Sequence, residues 1–298
     1  MKMRLPLLFI IFAVLSSSSA EPTPIVIWHG MGDSCCDPQS MGWVIKLIQD
    51  EIPDVYIYSV ALSEHALIDR EKTFLANMND EISKVCLKIA ADPRLSAGYN
   101  AIGFSQGGQF LRAIAQRCPQ PQMRRLITLG GQHQGVYGIP HCSDDNIICD
   151  TVRKLLDQGA YISFVQETVV QAQYFHDSDD EQTYREKSIF IADINNDKIT
   201  ARNTSYKKNL SSLEYLVLVL FEKDEMVVPK ESSWFGFYKE KDLKVIVPYN
   251  ESLLYSEDRI GLRTLDESGR LHFMTMPGNH LQIDKKIFVD DIILTYLV

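Results

Sequence analysis

Three side chains in this sequence have the types and order needed for acyl transfer. Ser105 lies in Gly103-Phe104-Ser105-Gln106-Gly107, with glycines two before and two after it. That spacing is the signature of a nucleophile elbow, a sharp strand-to-helix turn with the serine at its apex. The glycines have a steric role, because strand and helix approach so closely there that a Cβ has no room. The bland alternative is a structural Gly-rich turn, and five residues with three fixed positions recur by chance. Context favours the elbow: the apolar run 99–104 precedes it, and Phe110, Ala113 and Ile114 follow at helical spacing. Asp224 stands just beyond the apolar run 215–221, with Glu222 and Glu225 as local competitors, where a triad carboxylate belongs at the carboxyl edge of a sheet. His280 follows Gly278 in the loop after the run 271–276, the setting of a general base, whereas His272 lies inside that run and reads as structural. In this arrangement Ser105 attacks an acyl carbonyl as His280 takes its proton, and Asp224 fixes the imidazole tautomer.

These residues need a scaffold. Residues 24–28 form a nearly unbroken β-branched run, as expected of a strand covered on both faces. It leads into His29-Gly30-Met31-Gly32-Asp33, a loop placed to give one backbone N–H to an oxyanion hole at Met31, with Gln106 giving the second. His29 is read as orienting this loop and not as an acid or base. Residues 55–60 and 126–129 read as further strands. Phe74, Met78, Ile82, Val85 and Ile89 recur at helical intervals and predict one long helix over 70–91, which Asp92-Pro93 ends. Strands alternating with helices imply an α/β fold with a mostly parallel sheet. The alternation breaks at 132–212, read as an inserted helical subdomain. There Tyr161, Phe164, Val165, Thr168, Val169 and Ala172 are expected on one helical face, as core and as a wall for substrate. A last helix is expected over 285–297. The chain order Ser105, Asp224, His280 is that of α/β-hydrolases and not of the chymotrypsin or subtilisin folds.

Composition sets the compartment. A basic start, an apolar run over 5–15 and small residues at Ser18 and Ala20 predict a secretory signal peptide at 1–20, too short to span a membrane. The mature chain, 21–298, is large enough for one core with an insertion. Removing Lys2 and Arg4 takes the formal charge from −9 to −11, which argues against nucleic acid and anionic lipid surfaces as partners. Six cysteines follow the signal and admit about fifteen full pairings. The favoured set is a vicinal Cys35–Cys36 ring, a short Cys142–Cys149 loop and a Cys86–Cys118 bridge between neighbouring helices. Without a C-x-x-C pair or a close histidine set, a zinc site is not expected. Sequons at Asn203, Asn209 and Asn250 fit a glycosylated secretory protein.

A triad alone does not separate a thioester from an oxygen ester. The segments Ile27-Trp28-His29-Gly30-Met31-Gly32-Asp33-Ser34-Cys35-Cys36, Gly103-Phe104-Ser105-Gln106-Gly107-Gly108-Gln109-Phe110-Leu111, Gly130-Gly131-Gln132-His133-Gln134-Gly135-Val136 and Trp234-Phe235-Gly236-Phe237-Tyr238 resemble the palmitoyl-protein thioesterase family. The similarity extends over essentially the whole mature chain. It implies an α/β-hydrolase that removes long-chain acyl groups from S-acylated cysteines of proteins or peptides in the lysosome. It also implies no metal or organic cofactor and a groove for the acyl chain in the inserted region; with the signal peptide, the expected location is the lysosome by the secretory route, with part of the protein secreted. The resemblance carries the triad onto Ser105, Asp224 and His280, the oxyanion donors onto Met31 and Gln106, the disulfides onto the same three pairs, and a family glycan onto Asn203. The competing readings are an oxygen-ester lipase on the same scaffold and a lipid-binding protein with an inactive triad.

Overall fold

A computed structural model describes residues 21–138 and 147–298. Six parallel strands form the central sheet: β1 (Ile25–Trp28), β2 (Ile57–Ser59), β3 (Tyr99–Phe104), β4 (Met123–Leu129), β5 (Tyr215–Phe221) and β8 (Leu271–Met276), in the order β2-β1-β3-β4-β5-β8. β1 and β3 are buried at every position. Their unbroken apolar runs follow from the helices that cover both faces.

Because side chains alternate along a strand, each face builds its own core. On one face, Val26, Trp28, Ala101, Leu126 and Leu216 pack with Met78, Ile82, Val85 and Ile89 of α3 (Met78–Ala91) and with Phe110 and Ile114 of α4 (Gln106–Arg117). On the other, Ile25, Ile27, Ile102, Ile127 and Val217 pack with Val44 and Ile48 of α1 (Met41–Glu51) and with Phe288 and Ile292 of the C-terminal helical segment. Each such buried aliphatic side chain stabilises the fold by about 1.5–3 kcal/mol. The Cys86–Cys118 bridge joins α3 to the end of α4, and Cys35 and Cys36 are bonded to each other. Cys149 is disulfide-bonded as well, while Cys142 and the signal segment 1–20 lie outside the described residues. Among the described residues no helix is long and apolar enough to cross a membrane.

Two expectations are corrected, and one further element was not foreseen. The long helix over 70–91 is two helices, α2 (Ala66–Lys72) and α3, with an irregular segment between them. Thr73 Oγ1 donates to the Arg70 carbonyl, and Asn77 caps α3 by accepting from the Asn79 N–H. Both are local side-chain bonds that compete with continued helix. Between β4 and β5 the described chain is helical: α5 (Ile147–Gly159), α6 (Ser163–Thr168), α7 (Val170–Gln173), α8 (Glu181–Lys187), α9 (Ile191–Ile194) and α10 (Thr204–Leu210). The expected single stripe is interrupted there, since Val169 leaves the helix to bridge Leu75 and Phe164 is exposed. Val165, Val169 and Ala172 pack with Phe74 and Val152 and belong to a small core. Finally, β6 (Phe237–Lys239) and β7 (Asp242–Val247) form an antiparallel hairpin that the sequence reading missed. Its strands are short and mixed in polarity, so no alternation marks them.

Parallel connectivity brings the loops after β1, β3, β4, β5 and β8 to one edge of the sheet. The strand order and the helices on both faces are those of the α/β-hydrolase fold.

Candidate active site

Ser105 has φ 52° and ψ −127°, a conformation that costs a non-glycine residue and is kept only where its surroundings force it. The forcing contacts are visible at the flanking glycines. A Cβ on Gly103 would lie 2.5 Å from the Gly108 nitrogen, and one on Gly107 would lie 2.6 Å from the His29 carbonyl oxygen. Strand β3, helix α4 and the end of β1 therefore close on the turn, and Ser105 stands at the start of α4.

Asp224 is reached three residues after β5. Its Oδ1 accepts the backbone N–H groups of Met226 and Val227, each at 2.9 Å. Its Oδ2 lies 2.6 Å from His280 Nδ1, and His280 Nε2 lies 2.8 Å from Ser105 Oγ. Asp224 is buried, whereas Glu222 and Glu225 are exposed, which separates the three neighbouring carboxylates. The His280 ring packs edge-on to Phe221 and against Gly130. His272 is elsewhere, with Nδ1 2.7 Å from the Tyr296 hydroxyl.

The loop after β1 is anchored from below. His29 is buried with Nε2 3.4 Å from Asp69 Oδ2, and Asp69 accepts the N–H groups of Cys35 (2.9 Å) and Leu62 (2.7 Å). Burial, the largest single influence on Asp69, favours its protonated form. The bonds from His29, Cys35 and Leu62 together outweigh it and hold the carboxyl below its ordinary range.

Thr73, in the gap between α2 and α3, ties that loop to α4. Its Oγ1 accepts the Gly32 N–H at 2.8 Å, and its carbonyl accepts Gln106 Nε2 (3.2 Å) and Gln171 Nε2 (3.0 Å). The Tyr174 hydroxyl donates to Gln106 Oε1 at 3.1 Å, and burial raises its pKa so that it stays a neutral donor. The helix break that the periodicity missed is thus the brace that fixes Gln106.

The loop after β4 supplies a residue that the sequence reading did not assign. Gln132 Nε2 lies 3.1 Å from Ser105 Oγ, and Gln109 Nε2 lies 3.4 Å from Gln132 Oε1. The signal available in the sequence was a polar side chain directly after a strand that ends in Gly130-Gly131. Beneath it, buried Arg112 makes five hydrogen bonds to neutral groups: His133 Nδ1 and carbonyl, Gln116, the Ile194 carbonyl and Asn195. Burial pulls the Arg112 pKa down to about 9, and burial together with Arg112 holds His133 neutral.

Ser105, His280, Met31 and Gln132 open on a cavity of roughly 90 Å³ whose other walls include Val136, Leu156 and Leu281. A larger hollow of about 500 Å³ shares Tyr137, Gly138 and Leu156 with it and extends along Tyr161, Ile162 and Phe175. Of the expected stripe, only Tyr161 contributes to this wall.

The sequons differ in setting. Asn203 is exposed and caps α10, Asn209 donates through Nδ2 to the Gln116 carbonyl at 2.7 Å, and Asn250 is exposed.

Comparison with known proteins places the chain in a family. A family profile described as palmitoyl protein thioesterase matches residues 24–280. Palmitoyl-protein thioesterase 1 of Caenorhabditis elegans is 54% identical over 296 residues, covering 98% of this chain and 99% of the relative. Palmitoyl-protein thioesterase 3 of Dictyostelium discoideum is 35% identical over 92% of this chain and 90% of its own. The lysosomal thioesterase PPT2 homolog of Drosophila melanogaster is 28% identical over 94% of this chain and 93% of its own. A nucleophile elbow followed in order by the carboxylate and histidine loops, within a match that runs from the first strand to His280, makes this chain a member of the palmitoyl-protein thioesterase family.

Proposed function

We propose that the protein hydrolyses long-chain fatty acyl thioesters of S-acylated cysteines in proteins or peptides, with Ser105, His280 and Asp224 as the catalytic triad. The observation that carries this reading is the continuous contact Asp224 Oδ2, His280 Nδ1, His280 Nε2, Ser105 Oγ at an apolar cavity.

Neutral His280 carries its proton on Nδ1, facing Asp224, so Nε2 is free to accept from Ser105. Ser105 Oγ attacks the thioester carbonyl carbon, and its proton passes to His280 Nε2. The oxyanion rests on the N–H groups of Met31 and Gln106. Gln106 is the first residue of α4, where backbone N–H groups have no intrahelical acceptor. The C–S bond then breaks, and the thiolate leaves with the proton held by His280. Water repeats the sequence on the acyl-enzyme and releases the fatty acid.

The acyl chain runs from the serine along Leu156 and Tyr161, between the core and the inserted helices of 132–212. The protein is made with a signal peptide at 1–20, matures at Glu21, and acts in the lysosome after passage through the secretory route, with some secreted. Its third disulfide joins Cys142 to Cys149. Glycans sit at Asn203 and Asn250. At Asn209 attachment competes with the bond to Gln116, so that sequon is occupied least.

The deciding experiment is thiol release from a palmitoyl thioester, compared with hydrolysis of the matched oxygen ester. Wild type is expected to prefer the thioester, and Ser105→Ala is expected to be inactive on both while remaining folded. Full activity of Ser105→Ala would remove the proposed nucleophile. A preference for the oxygen ester would reassign the protein as a lipase, and wild type unreactive toward both esters and a fluorophosphonate would leave a lipid-binding protein.

A further inference from the structure

Ser105 Oγ has a second polar neighbour besides the base. Asp224 Oδ1 is committed to two N–H donors and Oδ2 accepts from His280 Nδ1, so His280 Nε2 is the bare nitrogen and takes the serine proton. The Oγ lone pairs that remain face an amide group at 3.1 Å, and with the serine proton already placed, that group must donate. The donor is Gln132 Nε2. It is held for this purpose: Gln132 is buried, Gln109 of α4 holds its Oε1, and its carbonyl accepts the Gly135 N–H at 3.1 Å.

A donor on Oγ has opposite effects in the two half-reactions. While Oγ attacks, a hydrogen bond to its lone pair lowers its nucleophilicity. While Oγ departs from the acyl-enzyme, the same bond stabilises the negative charge that gathers on it. With a thioester the second half-reaction is the harder one. The first expels a thiolate whose conjugate acid has a pKa of about 8.5, a good leaving group. The second must expel a serine alkoxide from an ordinary oxygen ester.

We infer that Gln132 is a further catalytic residue whose side-chain N–H stabilises the departing Ser105 oxygen during deacylation. The inference rests on the thioesterase reading above. His280 takes a proton from water, and the oxygen of that water bonds to the acyl carbon. On collapse the C–Oγ bond breaks, and its electron pair returns to Oγ. Gln132 Nε2–H holds that oxygen while His280 Nε2 returns the proton to it, and the fatty acid leaves.

The test is rapid-quench kinetics with a palmitoyl thioester, following thiol release and acylated Ser105 by mass spectrometry. In Gln132→Ala the initial burst of thiol is expected to be at least as fast as in wild type, while steady-state turnover falls about 10- to 100-fold and the acyl-enzyme accumulates. Gln132→Glu keeps the size and replaces the donor with a carboxylate. Its deacylation is expected to be slow near neutral pH and to recover as the pH falls and the carboxyl gains a proton to donate. A purely structural role for Gln132 would lower burst and turnover together and give the Glu variant no acid recovery. Either result, or unchanged turnover in both variants, overturns the assignment. Absence of acylated Ser105 in wild type would overturn the thioesterase reading itself, a separate outcome.

Discussion

His280 reaches Ser105 across 175 residues of sequence and Asp224 across 56, so their alignment depends on the fixed direction of each polar group. Asp224 has the clearest assignment, because one oxygen is occupied by the Met226 and Val227 N–H groups and only the other faces the imidazole. Asn at 224 keeps that first oxygen in place and turns an NH₂ toward His280 Nδ1. Two donors then face each other, and the ring is driven to the tautomer that protonates Nε2. Asp224→Asn is therefore expected to lower kcat roughly 10³- to 10⁴-fold, with little change in the thermal midpoint. A fall in stability in proportion to activity would assign Asp224 to the fold instead of the chemistry.

At the scale of elements, Asp69 of α2 holds the loop after β1 by two contacts, to Cys35 and His29, and ties it to the connection after β2 by a third, to the Leu62 N–H. The folded-state pKa of Asp69 is depressed, so its contribution to stability is complete above the unfolded carboxyl value of about 3.9 and is lost as pH falls through the folded value. The loss lies well below lysosomal acidity, so the loop keeps its anchor where the protein is proposed to work. Asp69→Asn is expected to cost on the order of 1–3 kcal/mol near neutral pH, as the bonds to a buried carboxylate are weakened. Urea denaturation of both proteins across pH should show that gap constant above about pH 5 and shrinking below about pH 4. A gap that widened toward acid would mean that Asp69 is protonated in the fold.

For the whole molecule, two helices on one face of the sheet are joined covalently. The Cys86–Cys118 bridge spans 32 residues that include β3 and the elbow itself. Closing a loop of that length stabilises a fold by about 3–4 kcal/mol through the unfolded chain. Cys118→Ser is expected to lower unfolding free energy by that amount while leaving KM for the thioester nearly unchanged, since the bridge lies at the far end of α4 from Ser105. A large rise in KM would show that the bridge shapes the site as well as the fold.

The sequence by itself determined the parallel sheet, the elbow and the order of the three loops. Burial periodicity and the sterics of a glycine-flanked turn act over a few residues and can be read locally, and β5 and β8 fall where their apolar runs lie. It also distinguished His280 from His272 by position alone. Only the tertiary structure decided what surrounds the serine. The break after Lys72 that lets Thr73 brace Gln106, the division of the 161–172 stripe between core and wall, and the approach of Gln132 to Ser105 all depend on side chains meeting across distant segments. Nothing within one segment specifies such a meeting. It follows from strand register and helix packing, which are settled when the two cores close on the sheet.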